Sequence, residues 1–104
     1  MRIHVNGTPE FSGFFQALDK ENQLYKTIDA ILERIAENPS MGEFVRFERI
    51  PKVIKSRYPD ITNIFRVKVT QDWRLLYTLV GYPKNKTAYI LITMSHKEYD
   101  KIFK

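Results

Sequence analysis

The spacing of apolar residues along the chain changes period several times, and each change marks an element. Arg2-Ile3-His4-Val5-Asn6 alternates and stops at Gly7, which predicts a short strand over residues 2 to 6, with His4 an ordinary strand residue. Thr8-Pro9-Glu10 then carries the marks of a helix start: a hydroxyl to cap it, a proline at the first helical position and a carboxylate near the positive end of the dipole. Phe11, Phe14, Phe15 and Leu18 follow at i, i+3, i+4 and i+7, one apolar stripe. After Asp19-Lys20-Glu21-Asn22 the helical period returns with Leu24, Ile28, Ile31, Leu32 and Ile35, and Asn38-Pro39 ends it. The two stripes read as packing surfaces of a helical hairpin.

From residue 64 the period becomes that of strands. Residues 64 to 69, 73 to 80 and 87 to 94 are rich in Ile, Val, Phe, Thr and Tyr, and Gly81-Tyr82-Pro83-Lys84-Asn85 supplies a turn between the last two. Their close spacing predicts an antiparallel meander. Ser95 with Glu98 three residues on forms a capping box, and Tyr99, Ile102 and Phe103 follow on a short closing helix. Between the hairpin and the meander, Arg46, Arg49, Lys52 and Lys55 recur every third residue while Pro51 and Pro59 interrupt any long helix, so residues 43 to 62 read as an irregular basic connection with at most one helical turn. The expected architecture is α+β, a helical hairpin packed on a small antiparallel sheet in the order β-α-α-β-β-β-α, one domain over residues 1 to 104.

Register turns this outline into a site. Phe65, Val67 and Val69 make one apolar row and Trp73, Leu75 and Tyr77 another, while Arg66 and Lys68 alternate with the first row and Arg74 with the second. A two-residue loop at Gln71-Asp72 would set an apolar row beside a basic one, because a one-residue slip turns every side chain over. One extra residue or a bulge puts both apolar rows on one face, as burial demands, and gathers Arg66, Lys68 and Arg74 on the other. Plain solvation of an outer face would need no Leu76 or Val80 in that same row.

Composition narrows the chemistry. The chain has no cysteine, so neither disulfides nor thiolate ligands contribute, and a reducing compartment, the cytoplasm, is expected. No apolar run suits an export signal or a membrane span. His4 and His96 stand at opposite ends of the chain and only four glycines are present, so no metal-ligand spacing and no glycine-rich phosphate loop appears; no cofactor is expected. Residues 1 to 45 carry four Lys/Arg against seven Asp/Glu, a net of −3, and residues 46 to 104 carry thirteen against five, a net of +8. An anionic partner for the second half fits that asymmetry, and so does a lysine-rich soluble surface.

Pro9-Glu10-Phe11, Asn38-Pro39, Phe65-Arg66-Val67-Lys68-Val69, Asp72-Trp73-Arg74-Leu75-Leu76-Tyr77 and His96-Lys97-Glu98-Tyr99-Asp100-Lys101-Ile102-Phe103, in this order over nearly the whole chain, resemble the RelE/ParE superfamily of toxins from type II toxin-antitoxin pairs. The resemblance implies a metal-independent endoribonuclease that cuts messenger RNA at the ribosome with a basic groove on its sheet. Carried onto this sequence, it implies that Arg74 grips the phosphate, where a forked guanidinium fits best. Lys68 matches a strand lysine that serves RelE-like members as base, and His96 with Lys97 occupies the place of a basic or histidine-containing pair, His96 acting as acid or base. Arg66, Lys68, Arg49, Lys52, Lys55 and Tyr99 would hold RNA. Lys97 stands where an arginine is typical, and Phe103 near where active members carry a tyrosine. The implied partners are a cognate antitoxin and messenger RNA with the ribosome. The same resemblance allows a ParE-like toxin that binds DNA gyrase and cuts nothing, and a non-catalytic RNA-binding module is the third reading.

Overall fold

Residues 2 to 81 and 87 to 103 are described by the structure, a computed structural model. In chain order the elements are β1 (His4–Gly7), α1 (Pro9–Ala17), α2 (Gln23–Glu37), β2 (Glu43–Val45), a 3-10 turn (Phe47–Arg49), α3 (Lys52–Arg57), β3 (Ile64–Thr70), β4 (Trp73–Val80), β5 (Thr87–Ser95) and α4 (His96–Ile102). The strands form one sheet in the order β1-β5-β4-β3-β2, with β1 parallel to β5 and the other pairs antiparallel. The arrangement is α+β as expected, with one more strand at the edge, but the sheet is mixed rather than antiparallel because β1 pairs parallel with β5. Of the turn expected at residues 81 to 85, Gly81 has a φ of 81°, which suits glycine; positions 82 to 85 lie outside the described residues.

Local chemistry sets the boundaries. Thr8 Oγ1 accepts from the Phe11 N–H at 3.1 Å and donates to the Leu91 carbonyl at 2.7 Å, so one buried hydroxyl both caps α1 and fastens it to β5. Asn22 caps α2 through the Leu24 N–H, and Ser95 Oγ caps α4 through the Glu98 N–H. The first strand starts later than the alternation predicts, because Ile3 is drawn to the end of α2, its N–H donating to the Ala36 carbonyl.

One face of the sheet packs against α1 and α2. Phe11, Ile28 and Ile35 from the helices meet Phe65, Leu75, Tyr77 and Ile90, and Phe15 stacks on Tyr25 with centroids 4.4 Å apart. The other face has a core of its own. There Ile64, Leu76, Leu91 and Met94 of the strands are buried together with Ile50 and with Ile54 of α3, and Tyr99, Ile102 and Phe103 are partly covered.

That second layer corrects the reading of residues 43 to 62 as irregular. Pro51 does not interrupt a helix; it stands immediately before α3, where a missing N–H costs nothing, and Pro59 follows its end. Glu43–Val45 pairs with β3, placing Val45 opposite Ile64 and Glu43 opposite Arg66. Gly42 makes this edge pairing possible: a methyl group there would lie 3.0 Å from Tyr77 Cε1 and 3.1 Å from the Arg66 carbonyl oxygen. The Tyr77 hydroxyl accepts from the Gly42 N–H at 3.1 Å and donates to the Pro39 carbonyl at 2.5 Å, tying the approach to β2 onto the sheet.

A bulge in the pairing of β4 with β5 serves the same purpose. Leu76 faces Ile92 and Tyr77 faces Ile90, so Leu91 is the extra residue. Its side chain enters the second core, and its carbonyl accepts from both Thr8 Oγ1 and the Tyr58 hydroxyl. Among the described residues no helix is long and apolar enough to cross a membrane.

Candidate nucleic-acid interface

The cationic face forms because β3 and β4 cannot pair without an irregularity. Phe65 lies opposite Tyr77 and Val67 opposite Leu75; the register then shifts between Lys68 and Thr70, and Thr70 rather than Val69 faces Trp73. Both apolar rows are thereby buried against α1 and α2, and Lys68 and Arg74 become cross-strand partners on the opposite side, with Arg66 facing Leu76 in the same row. Leu76 is fully buried by α3 and α4, whereas Val80 at the far end is 54% exposed. The cations lie at the end of this face that the helices leave open.

They line one cleft. A cavity of about 390 Å³ is bounded by Glu43, Arg66, Val67, Lys68, Arg74 and Tyr99. Arg74 Nη1 donates to the carbonyls of Thr70, Trp73 and Gln71 at 2.8, 3.1 and 3.3 Å, so the bulge orients the guanidinium. Its Cζ lies 5.9 Å from the Tyr99 ring centroid, as does that of Arg66. The two guanidinium groups thus flank one aromatic ring, an attraction worth roughly 0.5–1 kcal/mol each at an exposed site.

Arg66 is held at both ends. Its Nε donates to the Glu43 carboxylate and its Nη1 to the Tyr99 hydroxyl at 2.5 Å. The hydrogen bond to Glu43 raises the pKa of Arg66, so it stays charged. Burial pushes the Tyr99 hydroxyl above the ordinary phenol value, against the opposing pull of Arg66, so it stays protonated at neutral pH. Tyr99 also stacks on Phe103, centroids 4.5 Å apart, so the phenyl ring supports the wall of the cleft.

A second cavity of about 640 Å³ adjoins the first. Arg46, Arg49, Lys52 and Phe103 are among its walls, and it shares Glu43 and Arg66 with the cationic cleft. Lys55 is in neither; its Nζ sits 4.2 Å above the Phe47 ring.

His96 and Lys97 begin α4 beside the bulge, where the His96 N–H donates to the Asp72 carbonyl at 2.7 Å. His96 Nε2 lies 3.0 Å from Asp100 Oδ2, one helical turn on, and its Nδ1 is buried with no hydrogen-bond partner among the described residues. Neither His96 nor the exposed Lys97 is a wall of the cleft. Glu43 is the residue that sequence reasoning missed. In the sequence it belongs to the acidic first half, and only the pairing of β2 brings its carboxylate onto Arg66. Among the described residues no three His, Cys, Asp or Glu side chains gather where they could hold a metal ion.

Two solved structures share this architecture. The YoeB dimer from Staphylococcus aureus superposes with a TM-score of 0.57 at 16% sequence identity, covering 88% of this chain and 93% of that one. A doubly arginine-to-alanine-substituted form of the E. coli toxin RelE, in the free state, superposes with a TM-score of 0.58 at 11% identity, covering 98% of this chain and 95% of that one. No protein-family model matches the sequence, and no curated protein matches it. The chain therefore has the RelE-like toxin fold.

Proposed function

We propose that this chain, as one domain, is the toxin of a type II toxin-antitoxin pair: a metal-independent endoribonuclease that cuts messenger RNA at the ribosome. The observation that carries the reading is the convergence of Arg66, Lys68 and Arg74 with Tyr99 on one open cleft. Two guanidinium groups suit a phosphodiester, whose charge grows in the transition state of phosphoryl transfer.

In the reaction the RNA 2′-oxygen bonds to the adjacent phosphorus and the bond to the 5′-oxygen breaks, leaving a 2′,3′-cyclic phosphate and a 5′-hydroxyl. Arg74, fixed by three carbonyls, and Arg66, fixed by Tyr99, hold the non-bridging oxygens. The amine of Lys68, exposed on the cleft wall, takes the 2′-hydroxyl proton. His96 supplies a proton to the departing 5′-oxygen by turning from Asp100, and Lys97 adds positive charge where the strand leaves the cleft. Arg49 and Lys52 in the adjoining cavity, and Lys55 beyond it, bind the flanking backbone. The cognate antitoxin would silence the protein by covering the cationic face with acidic or apolar side chains, and cytoplasmic messenger RNA would be its target.

His96 outside the cleft, engaged by Asp100, is the observation that favours a binding-only toxin directed at another target such as DNA gyrase. Induction in cells separates the two. The ribonuclease reading expects growth arrest with new messenger RNA ends, both lost in Arg74→Ala and His96→Ala. Arrest with intact messages and lost supercoiling would establish the gyrase reading instead, and unimpeded growth with every version would refute a toxin.

A further inference from the structure

Glu43 and Arg66 are the two residues common to the walls of both cavities. Their ion pair, extended by the hydrogen bond from Arg66 to Tyr99, runs between the two spaces. Below it the stacked rings continue the division, since Tyr99 faces the first cavity and Phe103 the second. The second space has cations of its own. Arg46 is paired with Glu48 at 3.5 Å, but Arg49 and Lys52 make no ion pair among the described residues. A carboxylate on Arg66 also holds the position that a phosphate oxygen would take, because a guanidinium fork receives either anion in the same geometry.

We propose that the Arg49/Lys52 cavity is a second phosphate subsite for the same RNA strand, and that Glu43 is an internal competitor for Arg66 which one strand must displace to occupy both cavities. The inference rests on the ribonuclease reading for its ligand, single-stranded RNA, and adds to it a length requirement and a residue that opposes binding. A short oligonucleotide sits on Lys68 and Arg74 in the first cleft alone. A longer one crosses the partition, takes Arg66 from Glu43 and lays its next phosphates on Arg49 and Lys52. Glu43 is replaceable at low cost: it is exposed and comes from a three-residue edge strand.

The test is fluorescence anisotropy on the full chain with 2′-O-methyl oligoribonucleotides, which cannot be cut, of two and eight nucleotides over a range of salt. Wild type should bind the octamer with the steeper salt dependence, each added phosphate contact contributing about 0.7 to the logarithmic slope. Glu43→Gln should tighten octamer binding by roughly 2- to 5-fold, the order expected when a partly solvated ion pair no longer competes. Glu33→Gln, the same charge change on α2, should leave it within about twofold, because exposed charges that distant are screened. Arg49→Ala with Lys52→Ala should lower the octamer slope by about 1.4, two phosphate contacts, and leave the dinucleotide unaffected.

An octamer no tighter than the dinucleotide, or unaffected by Arg49→Ala with Lys52→Ala, would eliminate the second subsite while leaving the cleft standing. Weaker binding by Glu43→Gln, with an unchanged melting temperature, would overturn the competitor role and make Glu43 a contact to RNA. Failure of wild type to bind either oligonucleotide at low salt would remove the RNA reading itself. Preference of Arg49 and Lys52 for poly-glutamate over the octamer would assign that cavity to an acidic protein and contradict the proposal.

Discussion

The two faces of the sheet are built from the same strands and treated differently. The face under α1 and α2 is sealed by aromatic and branched residues, and Leu75 and Tyr77 on it are fully buried. The face under α3 and α4 is sealed over Val45, Ile64, Leu76, Leu91, Ile92 and Met94, and beyond them it ends in Arg66, Lys68 and Arg74. The sealed face fixes register; the half-sealed face uses that register to aim charge. Cations placed by a strand pairing that burial enforces lose little freedom on meeting a phosphate, which is the benefit of building a site on rigid elements.

Removing side chains from each face in turn tests the contrast. Leu75→Ala on the sealed face and Leu76→Ala on the other should each cost roughly 2–5 kcal/mol, since both leave a cavity in a closed core. Chemical denaturation would show it, and a cost below about 0.5 kcal/mol for Leu76→Ala, the level of surface changes, would mean that α3 and α4 do not seal that face. Arg66→Ala should lower RNA cleavage by about 10²–10³-fold, the usual cost of losing one donor to a developing oxyanion, with a much smaller change in melting temperature. Single-turnover cleavage beside a thermal melt separates the two effects. Parallel loss of both would make Arg66 a structural residue.

These expectations also mark where the sequence was legible. Phe65, Val67 and Val69 beside Trp73, Leu75 and Tyr77 left one register that hides both rows, so the bulge and the cationic face followed from patterning. Leu76 and Val80 in the cationic row argued only against plain solvation; the second apolar layer, which buries Leu76 and leaves Val80 exposed, is not read from them. The layer itself was obscured because Pro51 and Pro59 read as interruptions, although they bracket α3, and because Val45, Ile50 and Ile54 spread over a strand, a turn and a helix show no single period. Glu43 was illegible for a different reason: a three-residue edge strand has almost no pattern, and what places it is the close approach at Gly42. The site roles of His96 and Lys97 came from resemblance, and they lie beside the cleft walls.

Gly42→Ala probes that close approach. Its methyl group would press on a fully buried ring and a backbone carbonyl, neither of which can yield easily, at a cost of about 1–3 kcal/mol typical of overpacking. Loss of β2 amide protection in hydrogen exchange, with β4 and β5 unchanged, is the expected signature; uniform protection would show that the edge tolerates the methyl group.

The smallest effect is one of pH. Burial and the hydrogen bond to Glu10 push the Tyr58 hydroxyl up to about 12, from a reference of 10.0. Between those values the folded chain keeps a proton that the unfolded chain has lost, so Tyr58 contributes stability below pH 10 that disappears as pH rises toward 12. Tyr58→Phe should therefore flatten the alkaline decline in melting temperature, and an unchanged decline would remove Tyr58 from its causes.

Backbone amide shifts of the labelled protein, followed by NMR during titration with a 2′-O-methyl octanucleotide, test the account most directly. Changes should concentrate at residues 66 to 74, the start of α4 and β2, with α1 and α2 silent. Changes centred on the helical hairpin, or none at low salt, would contradict it.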